Sequence, residues 1–275
     1  MKRLINLAPS RPFSVLLAIL PFAVLVVLYI AASDARLAEN ANDKLLPSIA
    51  QFSAAIERMA FEPSKRTGEY LLWVDTAASL WRLFQGVMIS ALMGLIFGAC
   101  MGLFPYARSA MSPLFVAISL IPPMAILPIL FIVFGLGEVS KVVLIVIGIA
   151  PFIIRDMQAR VLELPKEQLI KAQTLGANSW QILVRVVLPQ IMPRLIALVS
   201  LSLGAAWLFL IAGEAIAAQE GLGYRIFLVR RYMAMDVILP YVAWITFLAF
   251  ITDYALKQLS RKSFPWFHAL QGAKS

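Results

Sequence analysis

Glu214 is the residue whose chemistry first asks for an explanation. It lies in an apolar run of about residues 195–218. A carboxyl group in such a run is costly and marks a functional site by default. The residues alone leave two readings open. Glu214 can act on a pathway or a proton, or it can be a bundle-facing group satisfied by a backbone donor or an Arg. Catalytic chemistry has little else to stand on. The sole His, His268, sits in the tail, and the sole Cys, Cys100, excludes a disulfide framework and a Cys/His metal site. There is no G-x-x-x-x-G-K-[ST] phosphate loop, since the stretch from Gly135 to Lys141 has the wrong spacing, and no G-x-G-x-x-G. No Ser/His/Asp set or paired carboxylates fall within the apolar runs. The chain is therefore expected to be neither an ATPase nor any other enzyme.

The element that must position Glu214 is a membrane bundle. Of 275 residues, 61% are hydrophobic and only 14% are charged, whereas soluble domains run near ~25% charged. The net charge of +9 is better explained by membrane topology than by nucleic acid, so lipid and not nucleic acid is the expected partner. The expected fold is an all-α integral membrane protein with about six transmembrane helices. Lys2, Arg3 and Arg11 precede a first span over 13–32. This span is long enough to cross a ~30 Å hydrocarbon core and longer than the apolar stretch of a signal peptide. Residues 33–75 are polar by contrast. Within them Leu46, Ile49, Phe52, Ile56 and Met59 predict an amphipathic helix, and 62–69 predict a turn-rich loop.

The second span, about 76–104, carries Gly86, Ser90, Gly94, Gly98 and Gly102. Small residues four apart form one stripe that lets a neighbouring helix come close. A substrate-lining role for Ser90 is the minority reading, and Arg82 is expected to snorkel to the headgroups. After a short turn at 105–112, the third span, 113–134, contains Pro122, Pro123 and Pro128. These remove backbone donors and bend a helix, which a membrane tolerates only beside protein or a wet cavity. Residues 135–138 then read as a tight turn, followed by a fourth span over 140–154, a fifth over 195–218 and a sixth over 237–256. The sequence thus divides into a first anchor with an outer amphipathic segment (1–75), a five-span core (76–256) and a basic tail (257–275). Arg225, Arg230 and Arg231 form either a solvated face or a docking and entry surface.

The polar interruption 155–194 looks folded. Leu164, Leu169, Ala172 and Leu175 recur at helical spacing between Pro165, suited to a first helical position, and Gly176, suited to the residue past a helix end. Asn178 can cap a second helix, expected to stop at Leu188 before Pro189. The Lys and Arg distribution supports, modestly, placing both termini and this element on the cytoplasmic side.

The run Lys171, Ala172, Gln173, Thr174, Leu175, Gly176, followed by Val186, Val187, Leu188, Pro189, resembles the signature loop of ATP-binding-cassette (ABC) importer permeases. That pattern is Glu-Ala-Ala, three residues, Gly, nine residues, Ile-x-Leu-Pro. Ala172, Gly176, Leu188 and Pro189 match in register, whereas Lys171 and Gln173 depart. The segment from Ile121 to Glu138 and the run from Gln219 to Tyr224 are similar to nitrate/sulfonate/taurine-type permeases. Parts of 68–80 and 223–246 look closest to permeases associated with urea carboxylase, which would favour urea or guanidine. The resemblance covers about 70–266.

The resemblance implies a coupling element at 155–194 between spans four and five. Leu169, Lys171, Ala172, Gly176, Ala177, Leu188 and Pro189 would transmit the motion of the ATPases, while Pro122, Pro123, Pro128, Glu214, Gly221 and Gly223 would line or gate the pathway. It implies two copies of an ABC ATPase that bind ATP and Mg, with no cofactor in this chain. A second permease subunit, identical to this one, and a periplasmic or lipid-anchored solute-binding protein complete the importer in a bacterial inner membrane. The competing reading is a stand-alone proton-coupled secondary transporter that uses Glu214.

Overall fold

The structure is a computed structural model that describes residues 9–40, 43–65 and 67–272. Lys2, Arg3, Arg66 and the last residues of the basic tail lie outside the described residues. The described chain is helical throughout, with no strand. Its helices are α1 (Arg11–Glu39), α2 (Ile49–Ala60), α3 (Leu71–Leu103), α4 (Pro105–Ser119), α5 (Leu127–Phe134), α6 (Glu138–Leu162), α7 (Lys166–Thr174), α8 (Ser179–Ile182), α9 (Leu188–Ala217), α10 (Leu222–Arg230), α11 (Met235–Ser263) and α12 (Pro265–Gly272). Among the described residues five helices are long and apolar enough to cross a membrane, or six if α4 and α5, bent by 82°, form one broken span. The chain divides into two compact units, Met1–Tyr70 with Val229–Tyr241, and Leu71–Leu228 with Val242–Ser275.

In the first unit, α1 exposes nearly all of its apolar surface, as a helix surrounded by lipid would. Its far end is tied to the segment before α2. The Tyr29 hydroxyl donates to the Pro47 carbonyl at 2.7 Å, and Ser33 Oγ donates to the Leu46 carbonyl at 2.9 Å. The amphipathic helix expected from Leu46 to Met59 is α2. Ser48 and Gln51 close a reciprocal capping box at its start, satisfying two backbone donors that a helix end otherwise leaves unpaired.

The second unit is built around the packing of α3 on α6. A Cβ added at Gly86, Gly94, Gly98 or Gly102 would lie 2.3–2.6 Å from Ile145, Ile153, Met157 or Val161. The stripe therefore brings the two helices closer than any side chain allows. Ser90 is buried and spends its hydroxyl on the Gly86 carbonyl, 2.7 Å away. Lipid is as apolar as these side chains, so the gain here is dispersion across a close interface and not removal of surface from water. α6 then packs on α9, where Gly148 leaves room for the Phe209 ring.

α1, α3, α9 and α11 run past one or both ends of the expected spans, and three further stretches differ from expectation. Residues 105–112 are helix, not turn. Pro105 occupies the first turn of α4, and Arg108 donates to the carbonyls of Met101 and Gly102 at the end of α3. α6 runs past residue 154 to Leu162, burying Met157 and Val161 against Gly98 and Gly102 of α3, while Arg160 pairs with Asp156 and Glu163 about one turn away on either side. The helix begun at Asn178 does not stop before Pro189. It continues through a π-helical turn, Leu183–Val187, into α9. The wide turn hands the Leu188 N–H to the Leu183 carbonyl just before Pro189, which has no N–H to give.

The α3–α6 interface yields a prediction. A Cβ at Gly98 would meet the backbone as well as Met157, so Gly98→Ala should cost about 1–3 kcal/mol through overpacking. Nothing lies within 4 Å of a Cβ at Gly204, so Gly204→Ala should be neutral or slightly stabilising. Thermal unfolding of the two detergent-solubilised variants checks the contrast.

Candidate functional site

Two groups of the expected site residues can be located. The first surrounds Glu214, near the end of α9. Its side chain is 0% exposed and accepts from Ser79 Oγ at 2.8 Å, Arg82 Nη1 at 2.8 Å and the Gly223 N–H at 2.8 Å. Arg82 is 1% exposed and does not snorkel. Arginine can satisfy a buried carboxylate on one edge of its planar fork and still have donors free for others. Arg82 uses them. Nε donates to Glu138 Oε2, Nη2 to Glu138 Oε1 at 3.0 Å, and Nη1 also to the Glu220 carbonyl at 2.9 Å. Lys141 Nζ adds a second cation to Glu138 at 2.7 Å.

The network continues along α3. Asp75, Ser79 and Arg82 are four and three residues apart, so they share one helix face. Asp75, 0% exposed, accepts from the Gly221 N–H at 2.9 Å and from Arg225 Nε at 2.7 Å. Ser79 accepts the Leu222 N–H at 2.9 Å while donating to Glu214. Three consecutive backbone donors, at Gly221, Leu222 and Gly223, are thus held by side chains of α3 and α9. Gly221 and Gly223 are required by geometry. Gly221 has φ +127°, and its Cβ would lie 2.6 Å from the Glu214 carboxyl; a Cβ at Gly223 would lie 2.7 Å from the Ile211 carbonyl. The structure brings Glu214, Gly221 and Gly223 together, and adds Asp75, Ser79 and Arg82, which the sequence does not single out for this place. Their spacing at the head of an apolar span was the available signal.

The second group is the helix–glycine–helix element. α7 begins after Pro165, which stands just outside the helix and not at its first position. Its end is a Schellman motif. The Gly176 N–H donates to the Gln173 carbonyl at 2.9 Å and the Ala177 N–H to the Ala172 carbonyl at 3.0 Å, with Gly176 at φ +82°. Asn178 and Gln181 form a capping box for α8. Gln190 Nε2 donates to Gln168 Oε1 at 3.0 Å, tying α7 to the first turn of α9. Leu169, Ala172, Ala177 and Leu188 are half-buried beneath this element, while Lys171, Gly176 and Pro189 are exposed. The element also exposes large apolar side chains, with Ile170 56%, Leu175 87% and Trp180 70% exposed.

The prolines do not join either group. Pro122 precedes a 3-10 turn, Pro123–Ile126, and Pro128 lies in the first turn of α5, so together they set the 82° bend. Pro123 also borders a cleft with α6 and α9.

The charge network yields the second prediction. Removing one partner of a buried pair leaves the other charge uncompensated, which typically costs about 3–5 kcal/mol. Arg82→Met should therefore destabilise the protein by about that much. Combining it with Glu214→Leu should recover part of the loss. Unfolding in detergent, measured for both single variants and the double, checks the sign of the coupling.

Residues 86–264 match the family described as "Binding-protein-dependent transport system inner membrane component". The chain is similar to the taurine transport system permease protein TauC of Escherichia coli (strain K12), with 35% identity over 200 residues, 73% of each chain. It is also similar to a putative aliphatic sulfonates transport permease protein, SsuC, of Bacillus subtilis (strain 168), with 27% identity over 201 residues, 70% of each chain. Among solved structures, the fold is shared with an inward-facing structure of the MetNI methionine ABC transporter, at a TM-score of 0.62 and 22% identity over 72% of this chain and 98% of that one. With most of its length matched, the chain belongs to the binding-protein-dependent inner-membrane component family, as a multi-pass permease subunit of the taurine- and sulfonate-type ABC importers.

Proposed function

We propose that this chain forms the membrane pathway of an importer that takes up a small polar solute, driven by ATP hydrolysis on a separate subunit. The observation that carries the reading is the exposed apolar tip of the α7–Gly176–α8 element, Ile170, Leu175 and Trp180. Large apolar side chains left exposed on a folded, polar-flanked element suit a partner surface. The expected occupant is an ABC ATPase that carries ATP and Mg, two copies serving two permease subunits. A solute-binding protein delivers the solute on the opposite side. In this orientation the tip and both termini are cytoplasmic, and the network around Glu214 faces the outer surface.

The physical logic is a rigid handle. α8 continues without a break into α9, so a displacement of Trp180 reaches the membrane-spanning helix without passing a flexible joint. Approach of the two ATPases on binding ATP would then reorient the bundles as bodies. Leu169, Ala172, Ala177 and Leu188 would support the handle from beneath, and Gly176 would set its angle.

A stand-alone proton-coupled transporter would need Glu214 to exchange protons with solvent. Its burial under Arg82, Ser79 and the Gly223 N–H favours a fixed structural charge instead. The solutes named for the relatives favour a taurine- or sulfonate-like molecule, and no structural feature singles out urea or guanidine.

The test is co-purification. Leu175→Asp and Trp180→Asp alter exposed side chains, so the permease should remain folded while recovery of the ATPase falls at least about tenfold, as loss of a central apolar anchor implies. Gly176→Pro, which breaks the φ +82° turn, should do the same. Undiminished recovery of the ATPase with all three would refute the docking assignment.

A further inference from the structure

At the opposite end of α6 from the charge network lies a cleft of about 490 Å³, between the α4–α5 bend, α6 and α9. Arg155, on its wall, is seventeen positions beyond Glu138, or roughly 25 Å along a helix rising ~1.5 Å per residue. That depth is close to the far edge of a ~30 Å hydrocarbon core. The walls are otherwise largely apolar, with Pro123 on one side and Phe152 and Phe209 on the others.

The cleft carries one charge of each sign, Arg155 and Asp156, but among the described residues only the carboxylate has an ionic partner. Asp156 is engaged by Arg160 at 3.2 Å, and Arg160 is shared with Glu163. Arg155 is exposed, and among the described residues no carboxylate lies within ion-pair distance of it. It is hydrogen-bonded instead to a neutral hydroxyl. Nη1 donates to Ser119 Oγ at 2.7 Å, and Ser119 Oγ itself donates to the Val116 carbonyl at 2.8 Å. The hydroxyl therefore fixes the guanidinium at the bend without neutralising it. A cation aimed by a hydrogen bond, beside aromatic and aliphatic walls, suits an oxyanion that carries a short apolar stem.

We propose that Arg155 and Ser119 form a transient site for the anionic head of the translocated solute, a sulfonate or similar oxyanion, at the inner end of the pathway. The proposal rests on the permease reading and its sulfonate-like solute, and adds the place in this chain where the solute's anionic head would be held. The phosphate of a lipid headgroup offers the same oxyanion chemistry, and the experiment separates the two sources.

The full-length chain carrying Cys100→Ala and Ser119→Cys is purified in maltoside and in phospholipid nanodiscs. Its reaction rates with 2-sulfonatoethyl methanethiosulfonate and 2-(trimethylammonio)ethyl methanethiosulfonate are each normalised to a free thiol. With Arg155 present, the normalised rate should favour the anionic reagent by about tenfold, as attraction by one nearby unit charge implies. The preference should persist in nanodiscs and in Arg155→Lys, vanish in Arg155→Gln, and be competed by methanesulfonate but not by guanidinium at equal ionic strength. A preference absent at the outset, or unchanged in Arg155→Gln, overturns the proposal. So does a preference seen in maltoside but lost in nanodiscs, which assigns Arg155 to lipid phosphate. Failure of both reagents to react also overturns it, because the cleft is then covered. None of these readouts depends on an ATPase, so they stand or fall apart from the docking assignment.

Discussion

An arginine and a glutamate that have left water together impose the main constraint on this molecule. Arg82 and Glu214 come from helices 132 positions apart in the chain and meet at 2.8 Å with almost no exposure. Neither is tolerable alone in an apolar bundle. Each therefore fixes the position of the helix that carries it, and the remaining bonds of the same two groups fix the rest. Glu138 places the start of α6, and the Glu220 carbonyl and Gly223 N–H place the connection into α10, where Asp75 and Ser79 of α3 hold the N–H groups of Gly221 and Leu222. One end of the bundle is thus defined by directional bonds. Along their length the helices are held by shape, through the glycine stripe of α3 against α6.

Those two kinds of contact have different mechanical consequences. A charged network with fixed geometry resists sliding, because moving any member strands another. A smooth, close-packed glycine face transmits force between whole helices. Together they hold α3, α6 and α9 in one mutual arrangement. At the far end, the Schellman turn at Gly176 and the capping box at Asn178 stiffen a projection that would otherwise be a polar loop, and the π turn passes its displacement into α9. The coupling proposed for this chain needs this combination of a pinned end, a rigid shaft and a stiff, exposed tip.

Much of that was legible in the residues. The helix–glycine–helix pattern at 155–194 is local, and Gly176 and Asn178 act on the backbone around them, so their conformations can be read from the string, while Pro165 marks the start of α7 one residue early. The stripe at Gly86, Gly94, Gly98 and Gly102 is periodic, and its burial follows from spacing. Glu214 stood out because its surroundings are apolar. Arg82 was misread because nothing nearby in sequence shows which carboxylate it meets, and an isolated arginine in a span ordinarily reaches for the headgroups. The helix over 105–112 is hidden by Pro105, Arg108 and Pro113 just beyond it, which resemble turn chemistry until Arg108 is seen capping the end of α3. The continuation through Pro189 was invisible because the compensating π turn precedes the proline and depends on tertiary packing.

The central claim is that the pinned end and the exposed tip lie on opposite faces of the membrane, joined by helices that do not yield. The most direct measurement is labelling of single cysteines in intact cells with a membrane-impermeant thiol reagent, in a Cys100→Ala background. Leu136 lies in the exposed turn before α6, and Leu175 is at the tip. Leu136→Cys should be labelled in intact cells, and Leu175→Cys only after the membrane is permeabilised. Labelling of Leu175→Cys from outside, or of both positions from the same side, would contradict the account.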